Sequence, residues 1–291
     1  KGLIEGNYNL GLLYYNGLGI EKNYNKAFFN FNIAKDKIIE SYYYLGVMYT
    51  ESKGVETDYL KAVNYFQLAS ENNIDLANCN LGFIYLEGLG VPQNFREAYN
   101  YFAKGAKKKI SDCQNGLGWL YENGVGVIKS KSEAIRWYKL AAEQNHKQAQ
   151  FNLGLFFFKD KSLDENYQTA IKWFTLAAQQ GVIEAQYNLG TIYFDGLGVV
   201  QNFKKAFTNY LLSAEKGFEM SQYKLSLMFF NGWGTEADKI KAFMWANIAA
   251  SKRHEKSIIK RDELLKILSS EDIQRGQELS LACFEKKLKN C

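Results

Sequence analysis

Hydrophobic and polar positions recur along the chain with a period of 36 residues. Within one period, residues 181–217, apolar residues at helical spacing form two amphipathic segments separated by a glycine-containing loop. The pattern predicts two helices per repeat, which we call helix A and helix B. The dipeptide Leu-Gly marks the register of helix A, and it returns in the last repeat as Leu-Ser. These dipeptides are Leu10-Gly11, Leu45-Gly46, Leu81-Gly82, Leu117-Gly118, Leu153-Gly154, Leu189-Gly190 and Leu225-Ser226.

Capping residues recur at both ends of the predicted helices. A short polar residue precedes each helix B, where its side chain can accept a hydrogen bond from the first turn. These residues are Asn23, Asp58, Asn94, Ser130, Asn166, Asn202 and Asp238. The residue eight positions before each Leu of the dipeptide is mostly Gly or Asn. These residue types suit the left-handed conformation that ends a helix. These residues are Gly2, Lys37, Asn73, Lys109, Asn145, Gly181 and Gly217.

Small and large residues recur in a way that predicts how the two helices of a repeat pack. The glycine of Leu-Gly and an alanine in helix B mark the crossing point, where only small side chains let the backbones approach closely. The alanines are Ala27, Ala62, Ala98, Ala134, Ala170, Ala206 and Ala242. A large ring four residues later is predicted to fill the core of six repeats: Phe31, Phe66, Phe102, Tyr138, Phe174 and Tyr210.

Repetition at this period is typical of a solenoid, in which each repeat buries its apolar face against its neighbours. We therefore expect an all-α fold, a right-handed α-solenoid of seven helix-turn-helix repeats over residues 1–252. The expected repeats are about residues 1–36, 37–72, 73–108, 109–144, 145–180, 181–216 and 217–252. Residues 253–291 are predicted to form C-terminal capping helices at about 256–268 and 271–289, with Ser269 and Ser270 as candidate caps.

Composition and charge change this picture little. The chain has a formal net charge of +5, and no stretch is long and apolar enough to predict a transmembrane helix. Residues 1–5 align with residues 180–184 inside the array. We therefore expect further sequence upstream, either a signal segment or more repeats.

The four cysteines are not expected to form disulfides. Cys79 and Cys113 lie on equivalent helices and point in directions that differ by roughly 200°. Cys283 and Cys291 would be about 12 Å apart along an intact helix, beyond the roughly 7 Å that a disulfide spans between Cα atoms. Cysteine usage therefore leaves the cellular compartment open.

Residues that carry catalysis or bind cofactors do not form a recognisable group. The two histidines, His146 and His254, lie three repeats apart without metal-ligand spacing or a triad partner. Loops such as residues 17–19 contain Gly-x-Gly but lack the third glycine and the Lys-Ser/Thr ending of a phosphate-binding loop, so we interpret them as turns. We expect no enzymatic activity, no metal, no cofactor and no nucleic-acid partner.

The repeat resembles the Sel1-like repeats, which are relatives of the tetratricopeptide repeats. The shared motif is Ala-x-x-x-Leu-Gly-x-x-Tyr-x-x-Gly-x-Gly-Val followed by Lys-Ala, and it is most complete from Ala185 to Val199 with Lys205-Ala206. The resemblance covers about residues 1–252 and implies a tetratricopeptide-like α-solenoid with adaptor or scaffold roles. Bacterial members are often exported and engage host or envelope proteins. Abundant Lys, Asn, Ile, Tyr and Phe with scarce Arg also suggest an AT-rich bacterial genome.

Two repeats depart from this motif in the loop between helix A and helix B. Ser52-Lys53-Gly54 lacks the first loop glycine, and Asp160-Lys161-Ser162 lacks both. We expect these two loops to differ in shape from the others.

If the helices stack as in tetratricopeptide arrays, helix A of each repeat lines the concave wall of the solenoid. Positions two before, two after and five after the Leu of the dipeptide then face an aromatic groove, and such surfaces favour interaction with proteins. The candidate groove residues are Tyr8, Leu12, Tyr15, Tyr43, Val47, Phe83, Leu86, Asn115, Trp119, Glu122, Phe151, Leu155, Phe158, Tyr187, Thr191, Phe194, Tyr223 and Phe230. The alternative is that many of these side chains are buried between adjacent A helices.

These residues predict a monomeric protein–protein interaction scaffold that binds a peptide or helix of a partner in its groove. An exported bacterial factor that engages host proteins is one form of this role. The alternative is peripheral binding to anionic lipid or phosphoinositide through the basic C-terminal end, where ten Lys or Arg and seven Asp or Glu follow Ser251.

Overall fold

The computed structural model describes residues 2–160, 164–289 and 291 of the chain. These residues form sixteen α-helices and no β-strand. The helices are α1 (Gly2–Asn16), α2 (Tyr24–Ala34), α3 (Glu40–Thr50), α4 (Tyr59–Glu71), α5 (Leu76–Glu87), α6 (Phe95–Lys107), α7 (Ser111–Asn123), α8 (Lys131–Glu143), α9 (Lys147–Lys159), α10 (Asp164–Gln179), α11 (Ile183–Asp195), α12 (Phe203–Ala214), α13 (Glu219–Asn231), α14 (Lys239–Ser251), α15 (Glu255–Leu265) and α16 (Ser270–Glu285).

The first fourteen helices form seven hairpins, each made of a helix A with an odd number and a helix B with the next even number. The chain divides into two compact units, Lys1–His146 with α1 to α8 and Lys147–Cys291 with α9 to α16. Within each unit, consecutive hairpins pack against each other. The predicted all-α fold of seven helical hairpins is confirmed.

Most of the predicted helix caps are present. Six of the predicted side chains, all except Asn166, accept a hydrogen bond from the backbone N–H three residues later, as Asn94 does from Glu97 at 3.1 Å. The prediction for Asn166 is wrong, because α10 begins at Asp164 and Asn166 lies in its first turn. At the C-terminal caps, left-handed backbone occurs at Asn73, Lys109, Asn145, Gly181 and Gly217.

Gly2 and Lys37 do not act as left-handed caps. Gly2 is the first residue of α1, and Lys37 follows the end of α2 without a positive φ.

The glycine of each Leu-Gly contacts the core ring of the same repeat. A Cβ at Gly82 would lie 2.6 Å from Phe102, and one at Gly190 would lie 2.7 Å from Tyr210. The same relation holds for the glycines of the other Leu-Gly repeats, and all six core rings are fully buried. The seventh repeat has Ser226 in place of the glycine and Ala246 in place of the ring, so the larger residue appears where the ring is missing.

The loop of the second repeat keeps the usual shape, so the expectation that it differs is wrong. Ser52 takes the left-handed conformation, with φ 54°, that Gly88 takes in the next repeat with φ 70°. Gly54, two residues later, cannot be replaced by a residue with a side chain, because a Cβ there would collide with the backbone of Tyr24. For the loop Asp160-Lys161-Ser162, the prediction concerns residues that lie outside the described ranges.

The four cysteines form two disulfides, which overturns the sequence-based expectation. Cys79 on α5 bonds to Cys113 on α7, with 4.9 Å between their Cα atoms. Side chains that meet between two neighbouring, parallel helices must point in opposite directions, so a difference of roughly 200° favours this bond. Cys283 bonds to Cys291, with 5.3 Å between the Cα atoms. The helix ends at Glu285 and the backbone then turns through left-handed residues, so the distance along an intact helix does not apply.

The C-terminal region contains two helices, α15 and α16, which both pack on α14. Ser269 caps α16, because its hydroxyl accepts a hydrogen bond from the backbone N–H of Asp272 at 3.1 Å. Against α14, the glycine Gly276 lies where a Cβ would meet the ring of Phe243. The tail therefore repeats the glycine-against-ring contact seen inside the repeats.

Candidate functional site

The predicted groove residues all lie on A helices, from α1 to α7 in the first unit and from α9 to α13 in the second. Most of them are partly exposed, whereas Leu86 and Asn115 are buried. Phe83 and Trp119 have the largest exposed fractions among them, 39% and 38%. Each unit therefore presents a partly exposed A-helix face formed by these residues, and we describe the two faces separately.

In the first unit, the aromatic residues of this face form a second layer over the buried core rings. The rings of Tyr8 and Tyr15 lie 5.9 and 6.3 Å from that of Phe31. Phe83 makes an edge contact with Phe102 at 5.0 Å. Because these three outer rings pack on buried ones, they are held in place before any partner binds.

The second unit repeats this arrangement. Phe151 and Phe158 pack on the ring of Phe174 at 5.8 and 5.9 Å. Tyr187 lies 5.7 Å from Tyr210. The exposed edges of these rings alternate with aliphatic side chains such as Leu155, so the face combines apolar area with few charges.

Two polar residues of the face are explained by the core beneath them. Tyr138 and Tyr210 take the place of phenylalanine at the core ring position, and each buried phenol needs a partner. Glu122 accepts a hydrogen bond from the Tyr138 hydroxyl at 2.7 Å, and Thr191 lies 3.1 Å from that of Tyr210. Burial raises the pKa of both phenols, and the nearby Glu122 carboxylate raises that of Tyr138 further.

A recess of about 160 Å³ opens on the A-helix face of the first unit. Its lining includes Tyr43, Asn80, Phe83 and Asp112, and it lies beside the disulfide of Cys79. Sequence reasoning did not single out Asp112, which pairs with His146 at 3.1 Å. The hydrogen bond from His146 lowers the pKa of the Asp112 carboxyl. The two residues are 34 positions apart, close to one repeat length, which is the signal that connects them.

The described ranges contain no group of three or more His, Cys, Asp or Glu placed to hold a metal. Loop glycines such as Gly90 and Gly126 face the start of helix B in the preceding repeat, where a Cβ would collide with Tyr59 and Phe95. The Gly-x-Gly loops therefore serve packing between repeats. No helix in residues 2–160 or 164–289 has the length and apolarity needed to cross a bilayer.

Comparison with known families and structures identifies the repeat. The Sel1 repeat model matches residues 4–37, 39–74, 75–109, 111–146, 147–182, 183–218 and 220–254. No curated protein matches the chain.

Solved structures of bacterial repeat proteins are similar to this one. A protective antigen of uropathogenic Escherichia coli with an SLR fold, c5321, is 30% identical with a TM-score of 0.89, and the match covers 98% of this chain and 62% of the antigen. A Sel1 repeat protein from Oxalobacter formigenes is 27% identical with a TM-score of 0.72, and the match covers 91% of this chain and 76% of that protein. The immunity protein PA5088 of Pseudomonas aeruginosa, 19% identical with a TM-score of 0.50 over 76% of this chain and 84% of its own, shares the fold alone.

The chain spans 62% of the length of the Escherichia coli antigen. Proteins built from Sel1 repeats generally mediate protein–protein interactions, and their solenoid fold typically serves as a non-catalytic scaffold. The seven matched repeats cover most of the described helices, with the glycine and ring positions in the same register. This chain belongs to the Sel1 repeat family.

Proposed function

We propose that this protein is a non-catalytic scaffold that binds a peptide or helix of a partner protein on the A-helix face. The observation that carries the proposal is the pair of exposed aromatic residues on neighbouring A helices, Phe83 on α5 and Trp119 on α7. Exposed aromatic side chains are favoured anchors of protein interfaces. Phe83 is also held by Phe102, so little side-chain freedom is lost when a partner binds.

A double variant tests this proposal directly. Phe83→Ala combined with Trp119→Ala is expected to abolish capture of the partner proteins that the wild-type chain retains from a host-cell lysate. The matched control is Phe29→Ala combined with Phe95→Ala, which removes two exposed rings from B helices of the same unit. Circular dichroism should show unchanged helicity in both variants. Equal capture by the folded Phe83 and Trp119 variant would refute the proposal.

The disulfides support export as part of this role. Both bonds together use all four cysteines, and disulfides persist in oxidising compartments such as the bacterial periplasm or the extracellular space. We therefore propose that the protein works outside the bacterial cytoplasm, where host proteins are within reach. Trapping free thiols with a maleimide reagent in the native bacterium should label none of the four cysteines. Complete labelling would contradict export.

A protein partner has more support than the lipid surface predicted from the basic C-terminal end. Several cations of that end are already paired, Lys252 with Glu219 at 3.3 Å and Arg261 with Asp262 at 2.8 Å. Paired cations attract an anionic membrane less strongly. Sedimentation with phosphoinositide-containing vesicles at physiological salt should leave the protein in the supernatant. In a separate measurement of oligomeric state, light scattering should give the mass of a monomer. Salt-sensitive sedimentation with the vesicles would favour the lipid role.

A further inference from the structure

The second unit contains a cavity that connects the A-helix face to the C-terminal helices. Its volume is about 620 Å³, which falls in the range of roughly 300–1000 Å³ usual for ligand sites. The half-buried rings of Tyr187 on α11 and Tyr223 on α13 contribute aromatic walls. Lys224, Arg253 and Lys256 add three positive charges to the same lining. We call this cavity, defined by these five residues, the basic pocket.

The three cations have no anionic partner in the described part of the chain. None of them forms an ion pair there, whereas the adjacent Lys252 does so with Glu219. Glu255 is the acidic residue in the described lining, so positive charge is in excess. Like charges around one low-dielectric recess repel each other, and an anion that enters it is stabilised by all of them.

Backbone groups strengthen this preference for an anion, and aromatic rings surround the charges. Glu255 and Lys256 are the first residues of α15, and the N–H groups at the start of a helix have no intrahelical acceptor and favour negative charge. The ring of Tyr223 lies 5.5 Å from that of His254, which also lines the pocket. Lys224 lies 5.2 Å from the centroid of the Phe194 ring, a cation–π contact that positions its ammonium group.

Two of the three cationic positions have a different charge in the first unit, while the third, that of Arg253, is occupied there by Lys109. Lys224 directly precedes the Leu of its repeat, as Asn80 does in the third repeat. Lys256 lies one repeat length after Met220, which lies five residues before the Leu of its repeat, as Asp112 does. Asn80 and Asp112 line the small recess described above, which contains no cation. The combination of three cations is therefore a local feature of the last repeat and the tail, and it is not repeated around the small recess of the first unit.

We propose that the basic pocket binds an acidic side chain of the partner peptide, with an adjoining apolar side chain packed between the two tyrosine rings. This inference rests on the proposed function, because Tyr187 and Tyr223 belong to the A-helix face of the second unit. Two tyrosine rings in the same lining as the charges favour a peptide with an apolar side chain over a lipid headgroup or a free phosphate. The pocket would thus select partners that carry an acidic and apolar segment.

A variant that neutralises the pocket can be built from residues that this chain already uses at the same repeat positions. Lys224→Asn introduces the residue found at Asn80, and Lys256→Gln the one found at Gln148. Arg253 has a left-handed backbone with φ 65°, so Arg253→Asn places there a residue that tolerates this conformation, as Asn145 does. The triple variant is therefore expected to fold. A control with the same loss of charge replaces three exposed lysines that do not line the pocket by glutamine: Lys131→Gln, Lys204→Gln and Lys239→Gln.

The probes are two fluorescent peptides, one with two glutamates flanking a phenylalanine and one in which glutamines replace the glutamates. Fluorescence anisotropy should show that the whole chain binds the acidic peptide about 10-fold more tightly than the neutral one, as expected for a few partly exposed charge pairs. The triple pocket variant should lose that difference. The control variant and the wild-type protein should behave alike.

Other outcomes would overturn the inference. Equal affinity for both peptides would show that the pocket does not discriminate by charge. If the binding of both peptides still depended on aromatic residues of the A-helix face, the proposed function would stand. A preference for the acidic peptide that survives in the triple variant would place the anion site elsewhere. Binding of neither peptide, or competition by inorganic phosphate or phosphatidylserine vesicles at equal charge, would also overturn it. Loss of partner capture in the Phe83 and Trp119 variant is a separate result, because those residues lie in the other unit.

Discussion

Replacing Gly46 by alanine is expected to destabilise the protein, although alanine usually stabilises a helix. A Cβ at this position would lie 2.7 Å from Cδ1 and Cε1 of Phe66 and 2.9 Å from its Cζ. Phe66 is fully buried and cannot turn into solvent. Overpacking a core costs about 1–3 kcal/mol, and replacing glycine by alanine in a helix gains about 1 kcal/mol. Because three ring atoms are involved, we expect a net loss of about 2 kcal/mol.

A double-mutant cycle with Phe66→Ala separates these two contributions. Phe66→Ala alone should cost about 3–5 kcal/mol, because it leaves a cavity. In that background the added methyl group has no ring to meet, so Gly46→Ala should stabilise the helix by about 1 kcal/mol. The expected coupling is therefore about 3 kcal/mol, at the upper end of the range for residues in contact. The pairing of Ser226 with Ala246 in the seventh repeat follows the same logic.

The assay is urea unfolding followed by far-ultraviolet circular dichroism, with the midpoint and slope compared across the four proteins. Gly6→Ala on α1 serves as the matched control, because no atom lies within 4 Å of a Cβ there. That control should be neutral or stabilising by at most about 1 kcal/mol. Additivity of the cycle to within about 0.5 kcal/mol would refute the claim that the ring requires this glycine.

Three further changes are expected to alter stability in measurable ways. Cys79→Ser removes a disulfide that spans 34 residues and should lower the free energy of unfolding by about 4 kcal/mol. Cys283→Ser removes one that spans 8 residues and should cost roughly 2.5 kcal/mol. Equal losses in urea unfolding would contradict the dependence on the length of the closed loop. Asn94→Ala removes the cap of α6 and should cost about 1 kcal/mol, with no loss counting against the observed cap. Burial raises the pKa of Tyr8 from 10.0 to about 12. The contribution of Tyr8 to the free energy of unfolding is therefore intact below pH 10 and is lost as the pH rises towards 12. Tyr8→Phe should flatten this decline in stability, and an unchanged decline would contradict the raised pKa.

Local features of the fold follow from the sequence because they depend on neighbouring residues. The cap of Asn94 and the contact of Gly82 with Phe102 each involve positions whose spacing is constant in every repeat. Asn166 shows the limit of this reasoning, since α10 begins two residues before the predicted cap. A helix boundary depends on the preceding chain as well as on the cap residue.

Contacts between repeats were harder to predict, because they depend on which faces of two helices meet. The directions in which the side chains of Cys79 and Cys113 point on equivalent helices suggested that they do not bond. Packing of α5 beside α7 nevertheless brings the two side chains together. Leu86 takes the groove position of Tyr15, yet it is shorter and is buried among residues such as Phe102 and Leu117. The same register therefore gives different exposure when the side chain changes in size.

The basic pocket could not be predicted from the motif. Its cations come from α13, from the turn that ends the seventh repeat and from the first turn of α15. The last two lie after residue 252, where the predicted repeat pattern stops. Continuing the register of Leu225 through the tail places Lys256 where Asp112 stands in an earlier repeat. That comparison is the sequence signal that would have indicated the pocket.

Photo-crosslinking tests most directly whether the A-helix face binds the partner. Benzoylphenylalanine is placed at the position of Trp119 on α7 or, as the control, at that of Phe29 on α2, and the protein is irradiated in the presence of the captured partner. The scaffold account predicts a crosslinked product from the Trp119 position and none from the Phe29 position. Crosslinking from the Phe29 position alone would place the partner on the B helices and contradict the account.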